Sequence, residues 1–198
     1  VEIKKGFSSD EKYLIHMPND NKLLLRVFNL GELELKNTEF SILERMQDYN
    51  VTCSQPIAIG EVGNRGYMIT SYIEGKDAQD EISKYTEQEQ YNIGYEAGNE
   101  LKKMHQFPAP NHVTSWYTRK VEKHKKYIDA YLACGVKIKN DHKILKFIDE
   151  NIQLMKQRPN LFQHDDFHLG NIVVNDKKFA GVIDTLTGMI GETLFMNF

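Results

Sequence analysis

The hydrophobic period of this chain changes once, and that change restricts the folds open to it. In the first third, apolar residues come in short runs separated by turn residues. "KYLIHM" and "KLLLRVF" flank "PNDN" at residues 18–21, and "IAIGEV" and "YMITSYI" flank "GNRG". Runs of this kind, joined by turn-forming tetrapeptides, predict two β-hairpins. Between them, "NTEFSILERMQ" repeats Phe40, Leu43 and Met46 at helical spacing, with Asn37 as the expected cap. From about Glu87 the period becomes helical. Tyr91, Gly94, Ala97, Gly98, Leu101 and Met104 share a face whose small residues would admit a second helix. A further helix is expected over residues 116–132, through Tyr117, Val121, His124, Ile128 and Tyr131. Another is expected over 142–157, through Ile144, Ile148, Ile152 and Met155, ending before Pro159. "NIVV" and "FAGVI" then flank "NDKK" as a last hairpin. The pattern predicts an α+β chain: an antiparallel sheet with one helix over residues 1–73, and a mainly helical part over 74–198. The polar, glycine-containing "EGKDAQD" lies at the boundary.

Composition narrows the partners. Of 198 residues, 40% are apolar and 27% charged, which suits a globular chain rather than a disordered one. The net charge is −3, so no basic excess is present to hold nucleic acid or an anionic membrane. Apolar stretches such as "LLLRVF" are far shorter than the roughly 20 residues of a membrane-spanning helix. The N-terminal segment lacks the apolar core of a secretory signal. Cys53 and Cys134 form no CxxC pair and read as packed thiols, which predicts a cytoplasmic protein.

The densest chemistry lies in "LFQHDDFHLGNIVV", residues 161–174. His164 and His168, four apart, could ligate a metal with Asp165 or Asp166, as a hydrolase would require. The same residues could form a catalytic loop or an ordinary polar turn. Taken alone, the stretch leaves all three open.

His164-Asp165-Asp166 followed by His168-Leu169-Gly170-Asn171 resembles the catalytic loop of the aminoglycoside phosphotransferase and choline-kinase-like family, whose members carry H-x-D and then H-x-G-N. That loop is related to the H-R-D…N loop of protein kinases. Asp184, at the end of "GVID", lies 18 residues after Asp166 and resembles the metal-binding aspartate of the kinase D-F-G motif. The resemblance implies a two-lobed, protein-kinase-like fold. It also implies transfer of the γ-phosphoryl group of ATP or GTP, with Mg²⁺, to the hydroxyl of a small molecule. Asp166 would orient that hydroxyl and accept its proton. Asn171 and Asp184 would hold Mg²⁺ through hard oxygen ligands. His164 and His168 would support the loop.

Weaker matches lie upstream. "KKGFSSDEKYLI" resembles the family's first hairpin, whose loop covers the phosphates and here offers Ser8 and Ser9. Arg26 stands where a phosphate-pairing lysine is usual, and Glu39 resembles the acid that pairs with it. A solvated edge cation and a first-turn helix acid would look the same. "YMITSYIEG" resembles the segment joining the lobes, so Ser71, Tyr72 and Ile73 are the adenine-binding candidates. "AGNELKKMHQF" resembles a helix of the family, with His105 in a structural role. The basic run at 119–127 reads as a solvated helix face. The implied acceptor is an aminoglycoside or related antibiotic; a choline-kinase-like metabolite acceptor and an inactive nucleotide-binding module are the alternatives. Asp165 and Thr185 depart from the family pattern. Family members continue into further helices, so the helical lobe is expected to be incomplete at Phe198.

Overall fold

The computed structural model describes residues 1–3, 9–18, 20–111, 113–164 and 166–184. Five strands form the first sheet: β1 (Glu2–Ile3), β2 (Glu11–His16), β3 (Lys22–Asn29), β4 (Pro56–Val62) and β5 (Arg65–Ser71). Their order is β1-β2-β3-β5-β4, antiparallel throughout. Both expected hairpins are present. β1 has no sequence signal, because two residues carry no period. The second turn is tighter than "GNRG": Val62 pairs with Arg65, and Gly63 supplies the positive φ of +62°.

Helix α1 (Leu33–Asp48) begins a full turn before Asn37. Asn29 accepts a hydrogen bond from the Gly31 N–H at 2.9 Å and starts a 3-10 turn, Leu30–Glu32, that runs straight into α1. Asn37 is therefore an interior helical residue rather than the cap. The added turn carries Lys36, which is buried. α1 packs Ile42, Leu43 and Met46 against Phe28 and Met68 of the sheet. Burial of a side chain such as Met46 or Met68 contributes about 1.5–3 kcal/mol. The same core continues through Met104, Phe107, Phe162 and Val182, so sheet and helical parts share it. Phe107 stacks between Tyr49 and Phe162, with ring centroids 5.9 and 5.6 Å away.

A second antiparallel sheet, β6-β7-β8, comprises β6 (Lys76–Asp77), β7 (Ile172–Asn175) and β8 (Lys178–Val182). "EGKDAQD" is thus more than a linker, since its middle pairs with β7. Gly75 makes that possible: its φ is +144°, and a Cβ there would lie 2.4 Å from the Val174 carbonyl oxygen. After the short α2 (Ala78–Glu81), α3 (Glu87–Met104) opens with a reciprocal Thr86–Glu89 capping box. Its buried residues are Ile93, Ala97, Glu100 and Met104, a face rotated from the expected one. Tyr91 is exposed and stacks on Tyr95, and a Cβ at Gly94 or Gly98 would meet nothing within 4 Å. What selects the face is the hairpin that α3 covers: Ile93 and Ala97 cluster with Ile172 and Val174.

α4 (Trp116–Ala133) keeps its expected apolar face half-buried. Arg119 and Lys120, expected on a solvated face, are buried at its first turn. Arg119 Nη1 donates to the Thr114 carbonyl, and Lys120 Nζ lies 5.7 Å from the Trp116 ring centroid. α5 (Asp141–Asn151) ends earlier than expected and tightens into a 3-10 segment, Ile152–Gln157, leaving Ile144 exposed. No helix among the described residues is long and apolar enough to cross a membrane. Both cysteines are free. Cys53 is buried, and burial beside Glu100 pushes its thiol up to about 12. Cys134 is exposed, contrary to the packed-thiol expectation.

Candidate active site

The polar loop hangs from two buried rings. Phe162 is in the core, and its N–H donates to the Phe107 carbonyl at 2.7 Å. His164, only 1% exposed, packs edge-on against Phe167 with centroids 5.4 Å apart. Its Nδ1 accepts the Asp166 N–H at 3.2 Å, and its Nε2 lies 3.3 Å from the Ile183 carbonyl oxygen. With Nδ1 an acceptor, the proton must sit on Nε2 and be donated to Ile183. Burial lowers the His164 pKa, and it outweighs the opposing pull of Ile183, Asp166 and Asp184. A neutral imidazole therefore ties the loop to the end of β8. This leaves neither ring nitrogen free for a metal, against the hydrolase reading. Among the described residues no group of three metal-ligating His, Cys, Asp or Glu side chains occurs.

The lowered pKa has a sign. Neutral His164 stabilises the fold fully above its unfolded value near 6.5, and that stability is lost as pH falls through the lower folded value. The melting temperature is expected to fall between pH 7 and 5, and to fall less steeply in His164→Asn, whose side chain does not titrate. His105, also lowered, is common to both proteins. Parallel slopes in the two proteins count against the assignment.

Beyond His164 the loop makes a 3-10 turn, Leu169–Asn171. His168 Nδ1 accepts the Gly170 N–H at 2.9 Å, so its Nε2 carries the proton and lies 3.2 Å from Asp166 Oδ1. Asn171 Nδ2 donates to the Asp166 carbonyl at 2.9 Å and approaches Asp166 Oδ2 at 3.3 Å. The half-exposed Asp166 carboxylate is thus oriented from both sides. Asn171 is buried, and its amide oxygen accepts no hydrogen bond among the described residues. The Asn171 carbonyl accepts the Ile183 N–H at 3.0 Å, so the hairpin brings Asp184 back beside the loop. Asp184 is exposed and sits at φ +51°, a conformation an aspartate tolerates better than most residues. Hard oxygen donors at Asn171 and Asp184 suit Mg²⁺.

On the sheet side, Arg26 Nη1 meets Glu39, the pairing expected from sequence. Two partners were not legible. Arg26 Nε and Lys36 Nζ each lie 2.7 Å from Asp10 Oδ2. Burial alone would raise the Asp10 carboxyl, but Arg26 and Lys36 hold it below the usual carboxylate range.

Residues 1–192 match the Phosphotransferase enzyme family (APH). The chain belongs to this family. Among curated proteins the sequence finds no match. Among solved structures it is similar to the streptomycin–ATP ternary complex of APH(2'')-IIa, with TM-score 0.64 and 18% identity over 93% of this chain and 64% of that one. ADP-bound APH(2'')-Ib gives 0.65 and 19%, with the same coverage. An amicoumacin kinase in complex with AMP-PNP, Ca²⁺ and amicoumacin gives 0.55 and 12%, over 93% of this chain and 58% of that one. At such identities the likeness shows a shared kinase-like fold. The chain spans about two thirds or less of the length of these structures.

In this phosphotransferase-family chain the adenine candidates are unequal. Ser71 N–H donates to Gln55 O at 2.8 Å and Tyr72 N–H to Lys22 O at 3.1 Å. Among the described residues only Ile73, of the three, keeps its N–H undonated. Its side chain lies over Gly181, where a Cβ would come within 2.8 Å. Ser9 is exposed at the head of β2, and Ser8 lies outside the described residues.

A tether joining α3, the loop between α1 and β4, and β8 was also missed. Buried Glu100 accepts the Thr52 N–H at 2.8 Å, and the Thr52 carbonyl accepts the Val182 N–H at 2.9 Å. That path ends two residues before Asp184. "AGNELKKMH" carried the only signal: a glutamate on the apolar side of a helix. A groove of about 660 Å³ runs past Glu100 and Phe179, but Asp166, Asn171 and Asp184 do not line it.

Proposed function

We propose that this chain acts as a Mg²⁺-dependent phosphotransferase. It moves the γ-phosphoryl group of ATP or GTP to a hydroxyl of a small molecule. The observation that carries the reading is the convergence of Asp166, Asn171 and Asp184 through the Asn171–Ile183 hydrogen bond. Asp166 orients the acceptor hydroxyl and takes its proton while His168 and Asn171 hold the carboxylate in place. Asn171 and Asp184 are the residues for Mg²⁺, which, when bound, neutralises charge on the β- and γ-phosphate oxygens. Residues 1–73 form the nucleotide lobe. Arg26 and Glu39 serve the phosphates, Ser8 and Ser9 the loop above them, and Ser71–Ile73 the adenine, with the Ile73 N–H as the available donor. Residues 74–198 form the catalytic lobe. Neighbouring structures hold streptomycin with ATP, or hygromycin B with AMP-PNP, which supports an aminoglycoside or related antibiotic as acceptor. Antibiotic resistance in the cytoplasm is the matching biological role.

A nucleotide-binding module without transfer is the second reading, favoured by Arg26 being already matched by two carboxylates. ATP and GTP consumption against a panel of aminoglycosides, macrolides and choline separates the two readings. Acceptor-dependent release of ADP or GDP supports transfer, and nucleotide binding without it favours the module. Asp184→Asn is expected to raise the Mg²⁺ concentration for half-maximal rate at least ~10-fold, since a charged hard ligand is replaced by a neutral one. An unchanged Mg²⁺ titration removes Asp184 from the site.

A further inference from the structure

Lys36 and Asp10 are absent from the roles assigned above, yet they lie at the centre of the buried ionic cluster. Two cations converge on one atom, Asp10 Oδ2: Arg26 Nε and Lys36 Nζ each donate to it at 2.7 Å, and Arg26 Nη2 adds an ion-pair contact at 2.5 Å. Oδ1 of the same carboxylate accepts no hydrogen bond among the described residues. A carboxylate shares its charge over two oxygens, so gathering both cations on one of them leaves half of its acceptor capacity unused. A single anionic phosphoryl oxygen suits two cations converging on one point.

We infer that Asp10 occupies a phosphoryl-oxygen site built by Arg26 and Lys36, and that a triphosphate enters by exchange with the Asp10 carboxylate. The inference rests on the phosphotransferase reading and adds Lys36 as a second phosphate-binding cation. Charge supports the exchange. Arg26 and Lys36 are balanced by Asp10 and Glu39, so the closed cluster is neutral and offers an anion little attraction. Withdrawal of Asp10 leaves one net positive charge facing the site. Position supports it too. Asp10 sits in the bend before β2, and the β2–β3 ladder starts one residue later with Glu11 opposite Val27. Asp10 can therefore swing out without breaking a strand pair. Lys36 reaches the same oxygen from α1, one helical turn before Glu39, and its Nζ lies 3.5 Å from Glu39 Oε2.

The test is direct binding of ATP, of inorganic tripolyphosphate and of adenosine to the wild-type chain, Asp10→Asn and Lys36→Met. Asp10→Asn is expected to bind ATP and tripolyphosphate ~10-fold more tightly, and Lys36→Met ~10-fold more weakly, with adenosine binding unchanged in both. The free Asp10→Asn protein melts at a lower temperature than wild type, and tripolyphosphate restores it. If a folded Asp10→Asn binds tripolyphosphate no more tightly than wild type, Asp10 is a structural counter-ion and the inference fails. If Asp10→Asn does not fold, Lys36→Met decides alone: unchanged tripolyphosphate affinity overturns the inference. Wild type that transfers phosphate but shows either negative result keeps the phosphotransferase reading and loses only this one. Wild type that binds neither ATP nor tripolyphosphate loses both.

Discussion

Asp166→Ala is expected to lower kcat by roughly 10²–10⁴-fold, the usual loss on removing a positioned base, while ATP affinity stays within a factor of about two. The carboxylate is half-exposed and, among the described residues, touches His168 and the Asn171 amide, so stability should hardly change. Asn171 keeps its 2.9 Å bond to the residue-166 carbonyl, which alanine retains. Loss of rate with retained binding and melting temperature is therefore the specific signature. Single-turnover transfer and nucleotide titration measure the two parts separately. Transfer that survives in the alanine variant removes Asp166 from the chemistry.

The second large effect falls on folding. Among the described residues, Arg26→Met leaves Lys36 as the cation shared by Asp10 and Glu39. Asp10 is 1% exposed and Glu39 13%, so water cannot screen the excess negative charge. Breaking a buried ion pair from one side costs about 3–5 kcal/mol, a large share of the 5–15 kcal/mol typical of a domain. Urea unfolding should show the midpoint falling accordingly. Adding Asp10→Asn to Arg26→Met restores neutrality and is expected to recover about 1–3 kcal/mol, the range of coupling between contacting residues. Additive losses in the double variant would place Arg26 outside a coupled cluster.

Local chemistry explains what could be read early. The hairpins at "PNDN" and "NDKK" follow from turn residues a few positions apart, and Asp176 and Lys177 take the positive φ values such a two-residue turn requires. The capping position of α1 was misread for the same reason. Asn37 and Asn29 are equivalent by composition, and only the hydrogen bond to Gly31 distinguishes them. Helix faces were legible where apolar spacing was unbroken, as in α4. They were not in α3, where tyrosines and glycines imitated a packing stripe while Glu100 occupied the buried side.

The polar loop around Asp166 shows both limits. Asp166, Asn171 and Asp184 belong to one loop and one hairpin, so their spacing alone brings them together, and the sequence by itself determined that grouping. Tautomers did not follow from spacing: the Nε2 protons of His164 and His168 are set by the Ile183 carbonyl and Asp166. Only the tertiary structure joined Asp10 to Lys36, or linked Glu100 through Thr52 to Val182. Those contacts cross 26, 48 and 130 residues of chain. Charged side chains so far apart obey no period, and their partners are chosen by how strands and helices pack, which no local stretch encodes.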